Sequence, residues 1–255
     1  MQHLTILTGA SRGMGLAMAR QLLAPDRLLL CVSRQLNDSL DAEALARGCT
    51  LLQWSQDLAD PGTARLRLQA WLDGQDHRLL SSATLINNAG MIPRIGPLDD
   101  CPADELAAAL RIGLEAPMQL TAAFLGATAR WVDAGWQGPR KVLNISSGLG
   151  RYPMAAQAPY CAAKAGLDHF TRCSALDEAR RPGGARLVSL APGVIDTDMQ
   201  TQLRAGDPAA FPDLQRFVSL QRDGQLSSPD EAAARLLAWL ERPEFGEQPV
   251  ADVRD

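Results

Sequence analysis

The sequence predicts an α/β protein, a single doubly wound parallel sheet of about seven strands with helices on both faces. Three observations lead there. Short apolar runs alternate with longer segments of helical periodicity, the pattern of stacked β-α-β units. Several of those runs are continuous rather than alternating, as expected of strands covered on both sides. A turn rich in glycine, Thr8-Gly9-Ala10-Ser11-Arg12-Gly13-Met14-Gly15, joins the first run to the first helical segment.

In chain order, strands are expected at 4–7, 28–32, 51–54, 83–86, 141–145 and 186–190, with a terminal one at 249–253. Helices are expected between them at 13–24, 38–47, 61–73, 103–134, 159–180 and 229–241. The longest carries Leu106-Ala107-Ala108-Ala109-Leu110, small side chains suited to close packing inside the chain or against a partner subunit, and both readings stand. Residues 196–228 are broken by Gly206, Pro208, Pro212 and Gly224. A partly helical excursion at the carboxyl end of a strand in this kind of sheet is expected to form a lid over a ligand.

Residues 1–255 are expected to form one domain, because no Pro/Gly/Ser-rich linker and no internal repeat divides them. With 46% hydrophobic and 21% charged residues, the chain can fill a core and lies far from the composition of disordered chains. A net charge of -4 argues against binding to phosphate backbones, so no nucleic-acid partner is expected. Cys31, Cys49, Cys101, Cys161 and Cys173 are scattered without metal-ligand spacing; they read as reduced thiols, and no metal is expected. No apolar stretch approaches the ~18 residues that span a bilayer, and the opening run is too short for a signal-peptide core. A cytoplasmic protein with no membrane partner is expected.

The chemistry gathers at strand ends. Gly9 permits the tight turn, Gly13 lets backbone approach a pyrophosphate, and Gly15 allows the first helix to pack closely on the sheet. The N–H groups of that helix end then face the anion, with Ser11 and Met14 among the turn residues. On the helix after the fifth strand, Tyr160 and Lys164 share one face, the spacing at which an ammonium favours an ionised phenol.

The spacing T-G-x-x-x-G-x-G of the turn resembles that of the short-chain dehydrogenase/reductase family. So do Asn87-Asn88-Ala89-Gly90 after the fourth strand, Ser147 thirteen residues before Tyr160, and Tyr160-Cys161-Ala162-Ala163-Lys164. The resemblance runs by motif from Thr8 to Thr197. It implies a Rossmann-like fold and reduction of a small-molecule carbonyl substrate. Ser147 would polarise the carbonyl, Tyr160 would donate the proton, and Lys164 would hold the nicotinamide ribose while tuning Tyr160. Ser146 competes for the first of these roles, and the family spacing favours Ser147.

The same resemblance assigns the cofactor contacts. The acidic residue usual at the end of the second strand is absent; Ser33-Arg34 stands there, and Arg34 with Arg12 suits a 2′-phosphate, so NADP(H) is implied. Two solvated surface arginines are the competing reading. Asp57-Leu58 matches the adenine contact, Asn88, Ala89 and Gly90 the ribose, and Asn87 is placed to brace neighbouring backbone. Pro192-Gly193-Val194-Ile195-Asp196-Thr197 matches the segment that fixes the carboxamide through Ile195 and Thr197.

One position departs from the pattern. The family usually carries an asparagine in the long helix that holds a water beside the active-site lysine; Gly113 stands here. Pro117 has no N–H to offer the Gly113 carbonyl, so that oxygen is expected to seat the water instead. A non-catalytic NADP(H)-binding sensor or scaffold is the alternative that this departure leaves open.

Within the family, the Tyr160 and Pro192 segments and the ending Val250-Ala251-Asp252-Val253-Arg254-Asp255 resemble the branch of sepiapterin reductases and bacterial benzil reductases. That branch implies a benzil-like or pterin-like ketone or diketone, with Asp252 at the pterin-anchoring position; a polar strand-end residue is the other reading. Leu149, Tyr152, Met154, Met199, Leu203, Phe211 and Phe217 are the candidate pocket lining, with core packing as the alternative. A homodimer or higher homo-oligomer, paired through the two long helices, is also implied.

Overall fold

Six of the seven strands are buried along most of their length, because helices cover both faces of the sheet; the edge strand at Thr50–Ser55 has no buried residue. The computed structural model describes residues 1–255. Seven strands lie in the order β3-β2-β1-β4-β5-β6-β7. They are β1 (Gln2–Thr8), β2 (Arg27–Ser33), β3 (Thr50–Ser55), β4 (Leu80–Asn87), β5 (Arg140–Ile145), β6 (Arg186–Ala191) and β7 (Val250–Asp252), and all pairings are parallel.

Side chains divide between the faces by the period of two. Leu28, Leu30 and Val32 point to the layer of α3 (Pro61–Asp73) and α5 (Ala116–Asp133). Leu29 and Cys31 point to that of α1 (Gly13–Leu22), α2 (Asp38–Ala46) and α9 (Pro229–Glu241). The remaining long helix, α6 (Ala158–Glu178), packs beside α4 (Ala103–Leu110), α5 and β6. No helix is long and apolar enough to cross a membrane.

The expected strands and helices all occur, with ends shifted by a few residues. The exception is the expected helix at 103–134. It is interrupted at Arg111–Glu115 by a wider π turn, in which the Ala116 N–H reaches back to the Arg111 carbonyl, and it continues as α5. Pro117 in the first turn of α5 removes a helical donor at this point, which explains the break.

Between β6 and α9 the chain forms α7 (Asp198–Arg204) and α8 (Leu214–Arg222). The two ends of this excursion are clasped: Asp196 N–H donates to the Ser227 carbonyl at 2.9 Å, and Ser227 N–H to Val194 at 3.0 Å. Its apolar side chains Leu203, Phe211, Leu214 and Phe217 form a small separate core with Ile92 and Tyr160.

After β1 the chain turns towards β2, and after β3 it returns to β4 on the other side of β1. The carboxyl ends of β1 and β4 therefore diverge into a crevice, the place where this sheet type binds ligands. Close approach there depends on Gly15, where a Cβ would lie 2.0 Å from the Gly9 carbonyl oxygen and 2.6 Å from Asn88 Nδ2. Gly15→Ala is expected to destabilise the protein by about 3 kcal/mol, seen as a lower urea midpoint, because backbone rather than a flexible side chain must move.

Candidate active site

The glycine turn is held by the strand end beside it. Thr8 Oγ1 accepts the N–H groups of Asn88 (2.9 Å) and Ala89 (3.0 Å), and Asn88 Nδ2 donates to the carbonyls of Thr8 and Gly9. Gly9 and Gly13 have positive φ values of 71° and 53°, a conformation that favours glycine. Arg12 is the N-cap of α1 and its side chain makes no capping bond, so the first amides of the helix stay available to an anion.

Asn88, and not Asn87, braces the turn. Successive residues of a strand point to opposite sides. Asn87 accordingly turns into the protein, where Nδ2 donates to Asn144 Oδ1 at 2.8 Å and Thr121 Oγ1 at 3.2 Å.

At the far end of the crevice, Ser33 Oγ accepts the Ala10 N–H at 2.8 Å, tying β2 to the turn. Arg34 follows β2, exposed at the rim, with Asp57 and the buried Leu58 also lining the cleft. Arg12 does not stand beside a free rim: its Nη1 pairs with Asp198 Oδ2 at 3.0 Å, bridging the turn to the start of α7.

Tyr160 and Lys164 lie one helical turn apart on the buried stripe of α6, 9% and 5% exposed. Lys164 Nζ sits 5.7 Å from the Tyr160 ring centroid and donates to the Ile145 carbonyl at 2.8 Å. Burial pushes the phenol up to about 12, and the Ser147 hydroxyl at its side pulls partly the other way. Burial lowers the ammonium to about 8, while the Asp168 carboxylate opposes that shift.

The two serines after β5 separate cleanly. Ser147 caps a short turn, accepting the Leu149 N–H at 3.2 Å, and stands at the phenol. Ser146 is buried and donates to Asp168 Oδ1 at 2.5 Å, a carboxylate that also accepts from Ser189 at 2.7 Å. Asp168 had a legible signal, since it lies four residues beyond Lys164 on the same helix face.

Along the opposite wall run Pro192, Gly193 (φ 81°), Ile195 and Thr197, whose hydroxyl donates to the Ile195 carbonyl at 3.4 Å. The cleft enclosed by these segments has a volume of about 1580 Å³, beyond the range of a single drug-sized site. Leu149, Tyr152, Met154, Met199, Leu203 and Phe217 line it, together with Gln157 and Gln200, which sequence reasoning missed. Phe211 does not: it is 1% exposed and stacks on Phe217 inside the small core.

Asp252 also lies away from the cleft lining. Arg254 grips both its oxygens at 2.7 Å, and Arg151 approaches to 3.8 Å, so the carboxylate is already neutralised and held well below its usual range by Arg254. The residue expected to anchor a ligand instead anchors the chain end, and Arg254 reaches the cleft.

A sheet of this topology with a tyrosine and a lysine buried at its crevice defines a nicotinamide-dependent oxidoreductase acting on carbonyl or hydroxyl groups. The chain belongs to the short chain dehydrogenase family, whose model matches residues 3–208. Benzil reductase ((S)-benzoin forming) of Bacillus cereus is 35% identical over 241 residues, 94% of each chain. Sepiapterin reductase of Xenopus tropicalis is 32% identical over 252 residues, 93% of this chain and 91% of that one. Among solved structures, the KRED1-Pglu enzyme has a TM-score of 0.78 at 26% identity, over 97% of this chain and 99% of its own. Neighbours of the same fold hold NAD in one case and NADP in another.

The lowered Lys164 has a consequence for stability. Below about pH 8 the lysine is charged in both states and its burial costs the native one; between about 8 and 10.5 only the unfolded chain binds the proton. Stability relative to Lys164→Met should therefore rise across that window, by roughly 3 kcal/mol, in urea titrations at stepped pH. A flat difference would show that the ammonium is not desolvated.

Proposed function

We propose that this protein is an NADPH-dependent carbonyl reductase that reduces a ketone or diketone, benzil-like or pterin-like. The observation that carries this reading is the buried pair of Tyr160 and Lys164 with Ser147 at the phenol, beneath a cleft large enough for a dinucleotide and a substrate.

The residues fit the cofactor. The turn from Gly9 through Ser11, Arg12, Gly13 and Met14 to Gly15 lines the cleft with backbone amides, and its tight path depends on Gly9 and Gly15, where a Cβ would strike neighbouring protein atoms. Ser33, Arg34, Asp57 and Leu58 would receive the adenosine end. Asn88, Ala89 and Gly90 would take the ribose, with Lys164 Nζ 3.9 Å from the place where a Cβ on Gly90 would stand. Pro192, Gly193, Ile195 and Thr197 would receive the carboxamide. When bound, the nicotinamide supplies the hydride.

The chain's own groups handle the oxygen. Ser147 donates to the substrate carbonyl and withdraws charge from it; Tyr160, protonated at neutral pH, delivers its proton as the alkoxide forms. Lys164, charged at neutral pH, stabilises the phenolate left behind. The π turn supports a role for Gly113 in replacing that proton: Pro117 cannot donate to its carbonyl, and it packs so closely on Ala163 that a Cβ would lie 3.0 Å away. That carbonyl oxygen is the seat for a water serving Lys164, in place of an asparagine side chain.

Absence of an acidic residue at the end of β2, with the exposed Arg34 there, supports NADPH over NADH. Residues 1–255 act as one catalytic domain in which 196–228, carrying α7 and α8, is the lid. Leu149, Tyr152, Met154 and Met199 line the substrate end. The exposed Met118 on α5 and Leu176 on α6 support pairing of two copies through these helices. A cytoplasmic location fits the reduced cysteines.

A panel of diketones and pterins with NADPH tests the activity. Turnover is expected, and Tyr160→Phe should lose at least about 100-fold in kcat while NADPH still binds. Cofactor binding without turnover of any substrate would instead favour a sensor or scaffold. Arg34→Asp should reduce the NADPH-to-NADH preference by about tenfold or more, as expected for a lost charge-assisted contact; an unchanged ratio would refute the role given to Arg34.

A further inference from the structure

Two side chains in the cleft are out of keeping with its apolar substrate end. Gln157, 1% exposed, is the N-cap residue of α6, one turn before Tyr160. Gln200, 8% exposed, lies on α7, and its N–H donates to the Thr197 carbonyl at 2.9 Å. Both line the cleft, and in both the carboxamide oxygen Oε1 is buried with no donor of the protein in reach. Their neighbours in the lining include Ile92, Leu149, Met154 and Phe217, which have no side-chain donor to offer.

The orientation of Gln157 is not free. Its Nε2 donates to the Ala156 carbonyl at 2.8 Å, and the same carbonyl accepts the Gly96 N–H at 3.2 Å. Rotating the carboxamide by half a turn would set oxygen against oxygen, so Oε1 is the atom left unpaired. Ala156 has φ 63°, the only non-glycine residue in the left-handed region. The left-handed residue stands directly before the one that caps the helix of Tyr160, and functional sites are where such strain is retained.

We propose that Gln157 and Gln200 are substrate-recognition residues whose oxygens accept hydrogen bonds from the substrate. The preferred substrate is then a ketone carrying a hydroxyl or N–H close to the carbonyl that is reduced, not a ketone with carbonyls and rings alone. This rests on the reductase reading above and narrows it. Gln157 caps the helix that carries Tyr160 three residues on, so a donor bound by it is expected close to the carbon that Tyr160 serves. One acceptor belongs to the fixed start of α6 and the other to the excursion between β6 and α9, so such a substrate would join the two. A site built to pair a substrate donor discriminates against the analogue without it, because its buried acceptor is left unsatisfied.

The test compares α-hydroxyacetophenone and 3′-hydroxyacetophenone with their O-methyl ethers, which lose the donor and add one methyl group, so the glutamine variants below separate the lost hydrogen bond from the added bulk. With NADPH, kcat/KM is expected to favour at least one hydroxyl compound over its ether by about tenfold or more, chiefly through KM. Gln157→Met and Gln200→Met, each keeping length and removing the acceptor, should each shrink that ratio several-fold. Ligand-induced changes in Tm, measured with NADP(H) present, read the same contact without turnover: the hydroxyl compound should raise Tm more than the ether. Ethers that match their parents in both measurements, or ratios that neither variant changes, would overturn the proposal even if reduction is rapid. Discrimination in Tm with no turnover of any ketone would leave this recognition standing and remove the reductase reading.

Discussion

An ammonium group kept out of water organises the centre of this protein. Lys164 would lose its charge to burial if nothing opposed it. The Ile145 carbonyl accepts from it at the end of β5, and the Asp168 carboxylate faces it from one turn further along α6. Asp168 is in turn held by hydroxyls from Ser146 after β5 and Ser189 on β6. Three elements must meet for one lysine to stay charged, and their meeting also sets the Tyr160 phenol against Ser147. The polar contacts of Asp168 with Ser146 and Ser189 thus serve both the core and the placing of Lys164.

The phenol depends on a second set of neighbours. Tyr160 belongs to the small core made with Leu203, Phe211, Leu214 and Phe217, so packing of the segment between β6 and α9 is what desolvates it. A segment that packs on this phenol has a direct physical coupling to it: loosening those side chains would let water reach the phenol and lower its pKa. The clasp of Asp196 and Ser227 keeps the ends of this segment together, which limits such loosening to the helices themselves.

The crevice is a matter of backbone clearance. Gly15 meets the Gly9 carbonyl so closely that no side chain fits, and Asn88 fills the remaining space with hydrogen bonds to that turn. The glycine-turn end of the cleft is therefore fixed by backbone contacts, and the other end is lined by side chains. Those side chains include Gln157, Gln200 and Arg254, while Asp252 holds the chain end.

Strand and helix order, the parallel sheet and the glycine turn were legible from the sequence alone, because burial on both faces writes continuous apolar runs and tight backbone approach demands glycine. The Tyr160 and Lys164 pair was legible too, since helical spacing alone puts the two on one face. What required tertiary structure was every contact made across elements. Asn87 and Asn88 are indistinguishable as neighbours in a motif, and only the pleat of β4 against β1 and β5 sends one inward and the other to the turn. Asp252 could not be assigned to ligand or to Arg254 until the chain end folded back, and Gln157 and Gln200 are unremarkable letters until burial removes their water. Local pattern records what each segment must do for its own backbone; which polar atoms end up without a partner is decided by the whole fold.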